Sequence, residues 1–264
     1  MIFNFEHHEA SLKRAVEHFA KDGEVLALIL GGSIAHGYAT SSSDIDLMIL
    51  VSEGDYKTRE AEGRLLFYDE GLCSYPGGYV DGKYIDRGYL ELVGERGNES
   101  TRYAFKDAEI VLGGSPELEA LVKSAAVFDR ATKTERGRRF YAHMHAWKWY
   151  FNEAIRQGNE LLRMTALSNF TLYACRSVLN HNEMLYPYHK WLLAEIGRAR
   201  EKPEGFLTKI SALVREGDAE GVEELAKEIK AMKDWGLGDW DWPRYFVEDV
   251  EKSWMRQEPY IADL

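Results

Sequence analysis

Between residues 8 and 20, Leu12, Ala15, Val16 and Phe19 recur at helical spacing among His, Glu, Lys and Arg, which predicts an amphipathic helix ended by Gly23. The run VLALIL at residues 25–30 is wholly apolar and predicts a buried strand. Gly31-Gly32-Ser33 ends it in a turn, the following residues allow a short helix, and DIDLMILV from Asp44 to Val51 predicts a second apolar strand. A polar, helix-compatible stretch runs to about Tyr68. Next, LCSYPGGYV and KYIDRGYLELV flank Asp81-Gly82, a pair favoured in tight turns, and together predict a β-hairpin. Ala108 to Leu112 reads as a short strand, and Ser115-Pro116-Glu117 opens a helix with a capping hydroxyl, a proline at the first position and an acid in the first turn. From about Thr132 onward the pattern is helical throughout, with breaks at Gly158, Pro187, Pro203 and Gly217. The expected fold is α/β (α+β): a mixed, twisted sheet domain over residues 1–126, then an all-helical bundle over residues 127–264, without internal repeats.

With 264 residues and 45% hydrophobic content, the chain can bury one large core or two modest ones. It has neither a basic N-terminal segment leading into an apolar stretch nor a run of eighteen apolar residues, so a soluble, cytoplasmic protein without a membrane span is expected. Thirty-three basic against 44 acidic side chains give a formal net charge of -11, which disfavours nucleic acid as a partner. Cys73 and Cys175 lie far apart and outside any Cys-x-x-Cys spacing, as expected of buried small hydrophobes. All seven tryptophans fall between Trp147 and Trp254, and core packing is the expected place for most of them.

The chemistry concentrates in residues 31–51. Side chains alternate along a strand, so Asp44 and Asp46 project to one side while Ile45 and Leu47 project to the other. Two carboxylates in one small volume repel each other unless a cation lies between them, and hard oxygen ligands suit magnesium. Asp-x-Asp also occurs on solvated strand ends, where it binds nothing. The preceding turn shifts that balance, because Gly31 and Gly32 let the backbone approach a ligand and Ser33 can direct its hydroxyl at a phosphate.

A hydrophobic strand, Gly-Gly-Ser, ten intervening residues after Ser33, and then Asp44-Ile45-Asp46 resemble the signature of the polymerase-beta-like nucleotidyltransferase superfamily. The resemblance implies a metal-dependent enzyme that moves AMP from ATP to an acceptor hydroxyl and releases pyrophosphate. It implies two magnesium ions on Asp44, Asp46 and a third carboxylate, with Gly31, Gly32 and Ser33 holding the phosphates. Asp81, Asp86 and Glu91 compete for the third place. Asp86 is selected, since it stands in Ile85-Asp86-Arg87 with Gly88 as its same-face neighbour, whereas Asp81 falls in the predicted turn and Glu91 on the other strand face. Arg87 departs from the family pattern, which has a hydrophobic residue after the acid.

Residues 167–196 resemble the helical domain of aminoglycoside-type nucleotidyltransferases, with Tyr-Pro-x-x-Lys-Trp-Leu at Tyr186 to Leu192. That likeness implies a groove between the domains, with Lys190 reaching the triphosphate; an exposed lysine on an amphipathic helix is the alternative. The acidic charge favours a small cationic, hydroxylated acceptor. Transfer to a protein side chain or an RNA end, as in antitoxin-type relatives, and a silent nucleotide-binding module are the rival readings. Arg176 and His181 match the spacing of a helical ribonuclease family, a two-residue match that a charge partner and a core side chain explain as well. His143 and His145 are two apart and should face different sides of a helix.

Overall fold

The structure is a computed structural model that describes residues 4–238 and 240–256. Two compact units meet in sequence between Val127 and Phe128.

In the first unit the elements run α1 (Glu6–Phe19), β1 (Val25–Leu30), α2 (Gly32–Ala35), β2 (Ile45–Val51), α3 (Glu53–Ala61), β3 (Leu66–Asp69), β4 (Val80–Ile85), α4 (Arg87–Arg96), α5 (Glu99–Phe105), β5 (Glu109–Leu112) and α6 (Pro116–Ala125). The strands form one mixed five-stranded sheet in the order β3-β4-β2-β1-β5. β2 and β4 are parallel, and the other neighbouring pairs are antiparallel. Both faces are covered, which is why β1 and β2 are apolar runs rather than alternating ones. Ile45, Leu47, Ile49 and Val51 join Leu12, Ala15 and Phe19 of α1 in one core. Ala27, Ile29 and Leu50 join Leu90, Val93, Leu118 and Val122, from α4 and α6, in the other. The Ser115 hydroxyl accepts from Leu118 N at 3.2 Å, and Pro116 follows it at the head of α6.

The predicted hairpin at Asp81-Gly82 is not formed. These two residues lie inside β4, and the hairpin is displaced toward the N-terminus: β3 pairs with β4 across a loop over residues 70–79. Gly82 serves packing rather than turning, because a Cβ there would lie 2.8 Å from Ile49 Cδ1 and 3.1 Å from Phe67 Cβ. The segment after Ile85, read as the returning strand, is helix α4. Glu91 therefore sits on a helix surface, ion-paired with Arg87 one turn back at 2.9 Å.

The second unit is helical: α7 (Lys133–Gln157), α8 (Glu160–His181), α9 (Tyr188–Arg198), α10 (Phe206–Glu216), α11 (Ala219–Ala231) and α12 (Trp242–Phe246), followed by a π turn and a 3-10 turn ending at Met255. Its core joins Tyr141, Met144 and Phe151 of α7 to Phe170, Cys175 and Val178 of α8 and to Ile210, Leu225 and Ile229. Gly158 ends α7 at φ 64°, in the left-handed region where glycine carries no steric cost. Trp235 is buried, but Trp149, Trp240 and Trp254 are exposed, so core packing does not account for these three. Among the described residues no helix is long and apolar enough to cross a membrane.

Candidate active site

β1 and β2 are antiparallel, so the turn that leaves β1 lies beside the residues that enter β2. Gly31 N donates to the Asp46 carbonyl at 3.0 Å and locks the two together. Gly32 has φ +61°, and a Cβ placed on it would lie 1.7 Å from Asp46 Oδ2 and 2.2 Å from Asp46 Cγ. The carboxylate of Asp46 thus rests directly over the Gly32 backbone, and glycine is required there on two counts, conformation and space. Ser33 is only 4% exposed, and its Oγ has no hydrogen-bond partner among the described residues. Leaving a buried hydroxyl unpaired costs about 1–3 kcal/mol, a cost that a ligand oxygen would relieve.

The parallel pairing of β2 with β4 decides which acid joins the pair. Its register sets Ile45 opposite Val80 and Asp46 opposite Asp81. Strand neighbours stand about 4.8 Å apart, so Asp81 is the acid at Asp46's side. Both belong to the sheet face that continues through Met48 and Leu50 on β2 and Lys83 and Ile85 on β4, opposite the face carrying Ile45, Leu47 and Val80.

Asp86 does not join them. It lies five residues further along β4, about 16 Å at strand spacing, beyond the end of the strand that holds Asp81. There Asp86 is 8% exposed, and its carboxylate caps α4, accepting from Tyr89 N at 2.7 Å. The choice of Asp86 over Asp81 rested on a strand phase taken from a hairpin at Asp81-Gly82 that the structure does not form. The signals for the observed arrangement were present, however. Leu90 and Val93 three apart, and Arg87 and Glu91 four apart, fit a helix with Asp86 at its cap.

Tyr79 shows the charge that gathers here. Its phenol is pushed up to about 12, first by a hydrogen bond to Asp44 and by that carboxylate's charge, then by burial and by the charges of Asp81 and Asp46. All three aspartates therefore act on one hydroxyl. A second set of groups holds the loop that delivers Asp44. Tyr75 Oη donates to Ser43 O at 2.5 Å, and His7 Nε2 is 2.9 Å from Ser41 O. The His7 and His8 rings both contact Tyr75. Burial, and then the neighbouring His7, hold the His8 imidazole below its ordinary range. Neither Tyr79 nor the His7–His8–Tyr75 cluster is legible in the glycine and aspartate motif alone.

Hard oxygen donors at Asp44, Asp46 and Asp81, with an orphaned hydroxyl at Ser33, fit a divalent cation and a phosphate. They are neighbours rather than a closed cage: among the described residues, no three Asp, Glu, His or Cys side chains are already gathered tightly enough to hold an ion. Lys190 belongs to the second unit, exposed on the first turn of α9, its ammonium 5.1 Å from the centre of the Trp191 ring. Arg176 lies between the rings of Phe140 and Tyr186, at 4.3 and 4.2 Å, and His181 Nε2 meets Glu201 at 2.8 Å. Both have structural partners. His143 stacks on Tyr173 and meets Asp249, whereas His145 packs on Tyr141.

Residues 11–86 match the sequence profile of a family described as "Nucleotidyltransferase domain". Among solved structures, the chain is similar to a nucleotidyltransferase-like protein from Exiguobacterium sibiricum 255-15, with 10% identity and a TM-score of 0.48 over 97% of this chain and 83% of that one. At that level nothing about activity carries across. No curated protein matches the chain. The N-terminal unit is thus nucleotidyltransferase-like, joined in one chain to a helical unit, an organisation consistent with the polymerase-beta-like superfamily in general.

Proposed function

We propose that this protein transfers a nucleoside monophosphate, AMP from ATP, to a hydroxyl group of a small cationic acceptor, with Asp44, Asp46 and Asp81 as the acidic centre. The observation that carries the reading is the convergence of three carboxylates on Tyr79, next to a glycine turn whose serine hydroxyl is buried and unpaired. Magnesium held by Asp44, Asp46 and Asp81 would supply charge neutralisation for the triphosphate and a lowered pKa for the acceptor hydroxyl.

The chain's own groups divide the remaining work. Gly32, having no side chain, lets the Asp46 carboxylate lie close against the turn. The Ser33 hydroxyl donates to a phosphate oxygen. Tyr79 holds the Asp44 carboxylate, and Tyr75 and His7 fix the loop that carries it. In the transfer, the acceptor oxygen bonds to the α-phosphorus, and the bond from that phosphorus to the oxygen bridging to the β-phosphorus breaks. Pyrophosphate leaves with the electron pair, and the hydroxyl proton passes to a carboxylate oxygen of Asp81.

A cationic acceptor follows from the charge: an acidic protein with three clustered aspartates attracts amines and repels polyanions. The test is release of pyrophosphate from each of the four NTPs with magnesium, against polyamine sugars, neutral polyols and short RNAs, with products followed by mass. ATP with an amino sugar should give an adduct of one AMP, formed more slowly as salt rises. Modification of RNA with the sugars untouched would overturn the acceptor; no turnover of any NTP with any acceptor would overturn the activity.

A further inference from the structure

The strand register puts the groups at the acid-bearing end of the sheet in a fixed order. β1, which leads into the Gly31-Gly32-Ser33 turn, lies beside β2 and Asp46, and β2 lies beside β4 and Asp81. Beyond β4 comes the edge strand β3, where Tyr68 stands directly opposite Asp81. Neighbouring strands are about 4.8 Å apart, so Tyr68 is one strand past Asp81 and two past Asp46, on the side away from the turn. Residues opposite each other in a ladder share a face, which sets Tyr68 and Leu66 on the face of the aspartates. Phe67 between them packs on the other face, against Phe19 of α1. Tyr68 is 60% exposed and Leu66 72%, although both side chains are large and mainly apolar. The Tyr68 ring lies 5.0 Å from that of Tyr79, with 33° between their planes, and the Tyr68 hydroxyl donates to Glu70 Oε1 at 2.8 Å. Tyr79 in turn is hydrogen-bonded to Asp44. An exposed aromatic wall, fixed at both ends by carboxylates, thus continues the acidic centre out to the edge of the sheet. Lys83 stands opposite Leu66, one step further along the face, so the Glu70 end of the wall is the acidic one.

We infer that Tyr68, backed by Tyr79, and Glu70 form the subsite that takes the acceptor, with a saturated ring laid on Tyr68 and an amine on Glu70. The subsite rests on the transfer reading proposed above, in which the turn holds the phosphates and Asp81 takes the acceptor proton. Phosphates on the β1 side leave the β3 side to the acceptor. The ring's apolar face covers Tyr68, and an ammonium beside it is drawn to the negative face of the aromatic ring. Glu70 is exposed at the edge of that ring and supplies a charged hydrogen-bond acceptor for the amine.

Binding is measured by calorimetry on the full chain with magnesium and a non-hydrolysable ATP analogue. The probes are neamine, a two-ring sugar rich in amines, and maltose, a two-ring sugar without any. Neamine should bind the parent, more tightly than maltose, and about fivefold more weakly in Tyr68→Ala and in Glu70→Gln. Tyr68→Phe keeps the ring and should restore binding to within about twofold of the parent. The analogue affinity and melting temperature of Tyr68→Ala should equal those of the parent. Neamine binding that is absent, or equal in Tyr68→Ala and parent, would overturn the subsite. Loss of analogue affinity in Tyr68→Ala would also overturn it, by putting the nucleotide on this ring. A dimeric parent that becomes monomeric in Tyr68→Ala, with neamine binding unaltered, would make the exposed edge a contact between copies instead. Neamine binding that depends on Tyr68, without release of pyrophosphate from ATP, would keep the subsite and overturn the transfer reading.

Discussion

The two ends of β4 carry aspartates five residues apart, and they have different work. At one end Asp81 stands beside Asp46 on the neighbouring parallel strand, and its charge bears on Tyr79. Just past the other end Asp86 is buried and spends its carboxylate on the Tyr89 amide in the first turn of α4. The residue type is the same, but one stands on the strand and the other just past its end. What separates a candidate metal ligand from a structural cap is whether backbone donors already use the carboxylate. A carboxylate that stands beside two others and caps no helix is the candidate for a cation.

That contrast is broken or sharpened most strongly by turnover. Asp46→Asn and Asp81→Asn should each lower the rate of nucleotidyl transfer by about 10²- to 10³-fold, with circular dichroism unchanged. Equal turnover in Asp81→Asn and parent would remove Asp81 from the site. Gly32→Ala is expected next. The added carbon must push Asp46 aside and holds a left-handed conformation that costs roughly 1–2 kcal/mol in an L-residue, so the variant should lose both activity and melting temperature, where a purely conformational glycine would lose only the second.

Asp86→Ala should do the reverse of Asp81→Asn. It removes a helix cap worth about 1 kcal/mol and should lower the melting temperature by roughly 2–4 °C, with kcat within twofold of the parent. The smallest effect belongs to Tyr79. Its phenol is raised from 10 to about 12 in the folded chain. The folded state therefore favours the neutral phenol, and the resulting stability is complete below pH 10 and lost as pH rises toward 12. Tyr79→Phe should flatten that alkaline loss in a series of thermal melts, with less than tenfold effect on transfer at neutral pH; an unchanged alkaline slope would detach Tyr79 from Asp44.

Much of the fold was legible because its signals are local. The runs 25–30 and 44–51, the Ser115-Pro116 cap and the glycine breaks of the helical half each declare themselves within a few residues. The turn and Asp44-x-Asp46 were legible for the same reason. Asp81 was not, because its partner is set by parallel pairing between β2 and β4, a non-local choice. Asp-Gly also imitates a turn, and here the glycine answers to Ile49 and Phe67 rather than to the chain direction. The exposed Trp149 and Trp240 were likewise hidden, since periodicity tells which face a residue takes and not whether that face is covered.

The most direct test needs no acceptor. Binding of Mn2+ in the presence of a non-hydrolysable ATP analogue is followed by electron paramagnetic resonance in parent, Asp46→Asn, Asp81→Asn and Asp86→Ala. The account predicts Mn2+ affinity at least 10-fold weaker in Asp46→Asn and Asp81→Asn and unchanged in Asp86→Ala; loss of Mn2+ in Asp86→Ala with Asp81→Asn binding like the parent would contradict it.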